Sequence, residues 1–150
     1  MLSVKQQLYD YCKKYLATRI EEAQQNIADV QEASVNETKS SAGDKYETSR
    51  EMMQQEINRE RSRLYELQKL KASLDVISPL QENVLVQTGS IVYTDLGNYY
   101  IAVSLGAVEN NGIIFQTISL ASPIGSRLSG LKKGDSFIFN NKAIRILKVA

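Results

Sequence analysis

The chain has 150 residues with 18 Lys/Arg and 17 Asp/Glu, a formal net charge of +1, no histidine and a single cysteine, Cys12. A near-neutral chain of this length suits one or two small domains and is no electrostatic magnet for nucleic acid or for an anionic membrane. The lone cysteine excludes an internal disulfide, and the lack of histidine excludes Ser-His-Asp or Cys-His catalysis and a Cys/His zinc site.

No stretch approaches the ~20 apolar residues that span a bilayer. The opening Met1-Leu2-Ser3-Val4-Lys5-Gln6-Gln7 lacks the apolar core of a signal peptide. The expectation is a soluble cytoplasmic protein with no membrane partner. Charge is unevenly placed: residues 1–75 hold 12 Lys/Arg and 13 Asp/Glu, residues 76–150 only 6 and 4. That asymmetry predicts an exposed helical half followed by a better-buried tail.

Residues 4–38 read as one amphipathic helix. Leu8, Tyr11/Cys12, Tyr15/Leu16, Ile20, Ala23, Ile27 and Val30 recur in steps of three and four, which keeps them on one face. Ala42-Gly43-Asp44 breaks the run, and Asp44 with Glu47 three residues later has the spacing of a capping box. A second helix is expected over 45–76. Tyr46, Met53, Leu67 and Leu74 lie on a seven-residue lattice with Glu60 as its polar exception, and Ile57 and Leu64 sit on the companion positions. Two such helices joined by a short polar turn near 38–45 form an antiparallel hairpin with arms of about 45–50 Å. Its shared seam is expected to hold Ile20, Ile27, Met53, Ile57, Leu64 and Leu67, with the tyrosines at 9, 11, 15, 46 and 65 covering it.

Ser78-Pro79 stops the second helix, because the residue before proline is pushed out of the α region. Residues 78–88 read as a linker, and from Gly89 the apolar period becomes two. Strands are expected at 91–93, 99–103, 113–115, 137–139 and 144–147, with turns at 95–98, 110–112 and 140–141. Ser122 as N-cap, Pro123 at the first helical position and Gly130 as stop mark one short helix among them. The domain reading is thus 1–77 hairpin, 78–88 linker and 89–150 sheet domain.

The order of hairpin, linker and small sheet resembles the Gre family of bacterial transcription elongation factors. So does Ser-Pro-Ile-Gly-Ser-Arg-Leu-Ser-Gly-Leu-Lys-Lys-Gly-Asp over 122–135, and Tyr46 followed by Arg50-Glu51. The resemblance covers nearly the whole chain. It implies an α+β fold: an N-terminal antiparallel coiled-coil hairpin followed by a small FKBP-like β-rich domain with one short helix. It implies RNA polymerase as partner, met at the secondary channel and its rim, with nucleic acid reached only through the polymerase. Ser122 and Pro123 become the polymerase-docking residues, and Glu37, Lys39, Asp44 and Glu47 the tip candidates. No cofactor or resident metal is expected, and the oligomeric state is left open.

In that family, tip acids in an acid-x-x-acid-Asn-Ala-Glu-Tyr pattern help hold a catalytic Mg²⁺ by which the polymerase cleaves its own transcript. Hard oxygen ligands suit that ion. Anchored on Tyr46 without gaps, the two key acids fall at Lys39 and Ala42. Neither supplies a carboxylate, so the expectation is channel binding with weak or no stimulation of cleavage, the alternative being that Asp44 with Glu47 or Glu37 substitutes through a different tip geometry. The alternative class is a coiled-coil adaptor or dimeric interaction protein with no polymerase role. Enzyme readings are disfavoured. A prolyl isomerase of FKBP type lacks a Trp and an evident aromatic pocket floor, and an acyl-transfer enzyme lacks its His.

Overall fold

A computed structural model describes the backbone of residues 3–40 and 44–150, and the side chains of residues 3–36 and 47–150. Two long helices, α1 (Val4–Ser40) and α2 (Asp44–Asp75), precede β1 (Ile91–Thr94), β2 (Gly97–Ile101), β3 (Gly106–Asn110) and β4 (Ile113–Ile118). A short helix α3 (Pro123–Leu128) is followed by β5 (Ser136–Phe139) and β6 (Lys142–Val149). The architecture is α+β, a helical hairpin followed by a six-stranded sheet with one short helix. The chain groups into two compact units, Lys14–Lys71 on one hand and Met1–Lys13 with Ala72–Ala150 on the other.

In the first unit the 3–4 stripes of both helices are turned inward. Leu16, Ala23 and Ile57 are buried, while Ile20, Ile27, Val30, Met53, Leu64 and Leu67 are half-buried, so the expected seam is present. Glu60, the polar exception of the lattice, is itself buried at 8 % exposure. Its Oε2 has no hydrogen-bond partner among the described residues, and Arg63 Nη1 stands 4.0 Å away. Of the tyrosines expected to cover the seam, Tyr9 and Tyr15 are half-buried, Tyr11 and Tyr65 are exposed, and the side chain of Tyr46 lies outside the described residues. Tyr65 is exposed, with Lys69 Nζ 5.4 Å from its ring centroid. Arg19 lies over the ring of Tyr15. An aromatic ring sheltering the stem of a neighbouring cation is at home on the solvent face. Surface pairs such as Arg19 with Glu22 at 3.0 Å and Arg59 with Glu56 at 2.8 Å are exposed and add little to stability.

In the second unit the strands run in the order β3-β4-β2-β1-β6-β5. β2 and β4 pair in parallel; every other neighbouring pair is antiparallel. Tight two-residue turns close the β3–β4 and β5–β6 hairpins. Asn111 (φ 50) with Gly112 (φ 81), and Asn140 (φ 51) with Asn141 (φ 63), supply the positive φ that such turns require.

Strand alternation then splits the side chains between two faces. One face gathers Val92, Ile101 and Ile146 with Val86 and Leu128, packed by Tyr99, Ile118, Ile124, Leu131 and Phe137. Within residues 78–88, taken from the sequence as a linker, Asn83 and Val86 are buried. The backbone there is fastened by Val86 N–H to Leu131 O at 2.8 Å and Gly130 N–H to Val86 O at 2.9 Å.

The opposite face carries Ile91, Tyr93, Tyr100 and Phe115, with Tyr93 and Phe115 edge-on at 5.9 Å. The first turns of α1 meet this face. Asn110 Nδ2 donates to Gln7 Oε1 at 2.9 Å, and Leu8, Cys12 and Tyr100 are fully buried. Burial pushes the Cys12 thiol up to about 11. Burial also raises the Tyr100 phenol, and the neighbouring Cys12, Tyr9 and Asp10 push the same way.

The Tyr100 hydroxyl has no hydrogen-bond partner among the described residues. A buried donor without a partner is a standing penalty, and deleting it while keeping the ring removes that penalty. Tyr100→Phe is therefore expected to raise the unfolding free energy by about 1 kcal/mol, read as a higher urea midpoint at unchanged m. A lower midpoint would show that the hydroxyl is satisfied in solution.

Candidate functional site

The segment 119–135 is fastened by its own cap, turn and backbone bonds. Ser122 sits in extended backbone (φ −65, ψ 161) as the N-cap of α3, with Pro123 opening the helix. Its Oγ accepts from Gly125 N–H at 3.1 Å and donates to Ser119 O at 2.7 Å. Gly125 is buried, and a Cβ there would stand 2.2 Å from Ser119 O, so this turn of chain admits glycine alone. Leu128 anchors the helix in the core. Beyond the helix, Asp135 Oδ2 accepts from Lys132 N–H at 2.9 Å, folding the Lys132-Lys133-Gly134 stretch into a turn before β5.

Of the two predicted docking residues, only Pro123 is exposed. The Ser122 hydroxyl spends both its donor and an acceptor inside the cap. It shapes the surface, with one acceptor lone pair left beyond these two bonds.

Beside α3 lies a groove of about 270 Å³ lined by Leu96, Tyr99, Ile124, Phe139, Lys142 and Ile144 among others. Its walls come from the β1–β2 turn, β2, α3, β5 and β6. Leu96 stands 54 % exposed on a turn laced from both sides. Thr94 Oγ1 donates to Gly97 O at 2.6 Å and accepts from Leu96 N–H at 3.2 Å, and Arg145 N–H donates to Asp95 Oδ1 at 3.0 Å. Burial raises the Tyr99 phenol. The groove offers two aromatic rings, aliphatic walls and one cation, Lys142, which suits an apolar side chain flanked by an acid.

Two aromatic residues, Tyr99 and Phe139, line this groove. The sequence hid it because its residues are scattered over five elements. The available signal was Leu96, an apolar residue at the tip of a polar turn.

The tip candidates are placed differently. Glu47 is exposed on the first turn of α2. The side chains of Glu37, Lys39 and Asp44, like those of Ala42 and Tyr46, lie outside the described residues. Among the described residues no three Asp, Glu, Cys or His side chains gather where they could hold a metal ion. No described helix is long and apolar enough to cross a membrane.

No family model matches the chain, and no curated protein matches it. Among solved structures the chain is similar to the transcription factor Gfh1, at 19 % identity over 91 % of this chain and 92 % of that one, with a TM-score of 0.39.

The cap makes a direct prediction. Ser122→Ala strands Gly125 N–H and is expected to lower unfolding free energy by about 1 kcal/mol, while Pro123→Ala, at an exposed first-turn position, is expected to shift it far less. Equal losses in thermal unfolding would contradict the division of labour between cap and surface.

Proposed function

We propose that the chain is a Gre-like transcription factor that binds RNA polymerase, its hairpin entering the secondary channel and its sheet unit docking on the channel rim. The observation that carries this reading is the joint occurrence of the hairpin and the family-like segment 122–135, which here forms a cap, helix and turn beside an apolar groove. In this reading Pro123, Ile124 and Leu96 make the rim contact, and Ser122 holds the helix that presents them. The protein acts in the cytoplasm by binding and positioning, with the polymerase supplying any chemistry.

The tip sets the sign of the effect. Anchored on Tyr46 without gaps, the positions of the family's key acids fall at Lys39 and Ala42. An ammonium opposes a divalent cation and an alanine adds no ligand oxygen. Channel occupancy therefore modulates elongation or initiation without stimulating transcript cleavage.

The first test is retention of core RNA polymerase on the immobilised protein. The wild type is expected to retain it, a tip-deleted variant to retain it less, and Leu96→Asp with Pro123→Asp to weaken it at least about tenfold, as loss of a central apolar anchor does. No retention by the folded wild type would leave the coiled-coil adaptor reading in its place.

The second test uses stalled elongation complexes. The wild type is expected not to stimulate cleavage, and Lys39→Asp with Ala42→Glu to raise it. Robust wild-type cleavage that is abolished by Asp44→Asn would overturn the alignment of the tip.

A further inference from the structure

The β3–β4 turn is Asn111-Gly112, the one place in the chain where glycine follows asparagine. Both residues are exposed, and both hold positive φ, 50 for Asn111 and 81 for Gly112. The space beside the Gly112 α-carbon is open: apart from its chain neighbours, nothing stands within 4 Å of where a Cβ would sit. The ladder closes on the pair Asn110 and Ile113, and the Gly112 N–H makes no hydrogen bond among the described residues. The Asn111 amide is loosely held, its Nδ2 donating to Asn110 Oδ1 at 3.3 Å. Asn110 Nδ2 donates onward to Gln7 Oε1 at 2.9 Å, the bond that ties the first turns of α1 to this corner of the sheet.

An asparagine amide carbon lies one ring closure away from the backbone nitrogen of the next residue. A side chain on that next residue crowds the approach, and glycine leaves it clear. A nitrogen engaged in a ladder bond is not available for it, and the Gly112 nitrogen is not so engaged. Asparagine is for this reason a chemically labile residue, and this asparagine has the surroundings that leave the reaction open.

We propose that Asn111 is a site of spontaneous deamidation that loosens the corner where β3, β4 and α1 meet. The Gly112 nitrogen bonds to Asn111 Cγ and gives up its proton, the Cγ–Nδ2 bond breaks, and ammonia leaves with that proton. Water then opens the cyclic imide at one carbonyl or the other. The product is aspartate, or isoaspartate with the main chain rerouted through the side-chain carbon. Either one replaces an amide donor beside Asn110 Oδ1 with a carboxylate, which only accepts. Isoaspartate also adds a carbon to the backbone of a two-residue turn whose length fixes the β3–β4 register. β3 lies at the edge of the sheet with β4 as its one neighbouring strand, so it loosens first. The proposal does not depend on the polymerase reading.

The test is storage of the whole folded chain in warm, mildly alkaline buffer, with peptide mapping and enzymatic methyl labelling of isoaspartate at intervals. The label is expected to accumulate in the peptide holding Asn111 severalfold faster than in the peptide holding Asn140-Asn141, an exposed positive-φ turn with no glycine after it. Asn111→Gly, which keeps a residue suited to positive φ, is expected to abolish the label there while leaving the chain folded. Stored protein separated by its added negative charge is expected to show severalfold faster hydrogen exchange across residues 106–110 and at Gln7 than fresh protein, and Asn111→Gly stored alike is expected to show no such change. Labelling no faster at Asn111 than at Asn140-Asn141, or labelling seen only when the chain is unfolded in urea, overturns the site. Unchanged exchange across 106–110 and at Gln7 in the separated product overturns the loosening.

Discussion

A sheet with apolar side chains on both faces must be covered twice, and here the two covers come from opposite ends of the sequence. One face is closed by α3 and the Val86 stretch, which lie near the strands they cover. The other is met by the first turns of α1, some 90 residues upstream of Tyr100, through Leu8, Cys12 and the bond from Asn110 to Gln7. Each fully buried aliphatic side chain contributes about 1.5–3 kcal/mol, so the opening helical turns are part of the core of the sheet unit. This accounts for the grouping of Met1–Lys13 with Ala72–Ala150. Tyr100 shows what that closure demands: its ring fills the interior while its hydroxyl has no partner among the described residues.

The residues that make segment 122–135 recognisable are explained by folding alone. Ser122 caps, Pro123 opens the helix, Gly125 allows the close approach of Ser119 O, Leu128 enters the core and Asp135 closes the turn. The exposed groove beside them is lined by Ile124 of that pattern and, for the most part, by residues outside it, Leu96, Tyr99, Phe139 and Lys142 among them. A motif can thus mark where a surface is held while supplying only a few of the groups that line it. Function on a shared fold lives in such grafted surfaces.

Much of the fold was legible because its signals are local. The 3–4 stripes locate both helices, Ser122-Pro123 locates the start of α3, and Asn111-Gly112 and Asn140-Asn141 locate two hairpin turns. β3 was missed. Gly106-Ala107-Val108-Glu109-Asn110 has one β-branched residue and little alternation, and it becomes a strand by pairing with β4 across the Asn111-Gly112 turn. Thr117, whose Oγ1 donates to Gly106 O at 2.7 Å and accepts from Leu105 N–H at 3.0 Å, secures its start. The groove was illegible for a different reason. Its residues are far apart in sequence, and no periodicity reports on side chains that converge only after the sheet is assembled.

Cys12 carries a practical consequence. Its thiol is fully buried and its pKa is pushed up to about 11, so the reactive thiolate is disfavoured at neutral pH. Toward electrophiles Cys12 is therefore expected to react far more slowly than an exposed cysteine. A single cysteine placed on any exposed position would be the sole handle for a fluorophore, a spin label or a crosslinker, with the native residue left in place.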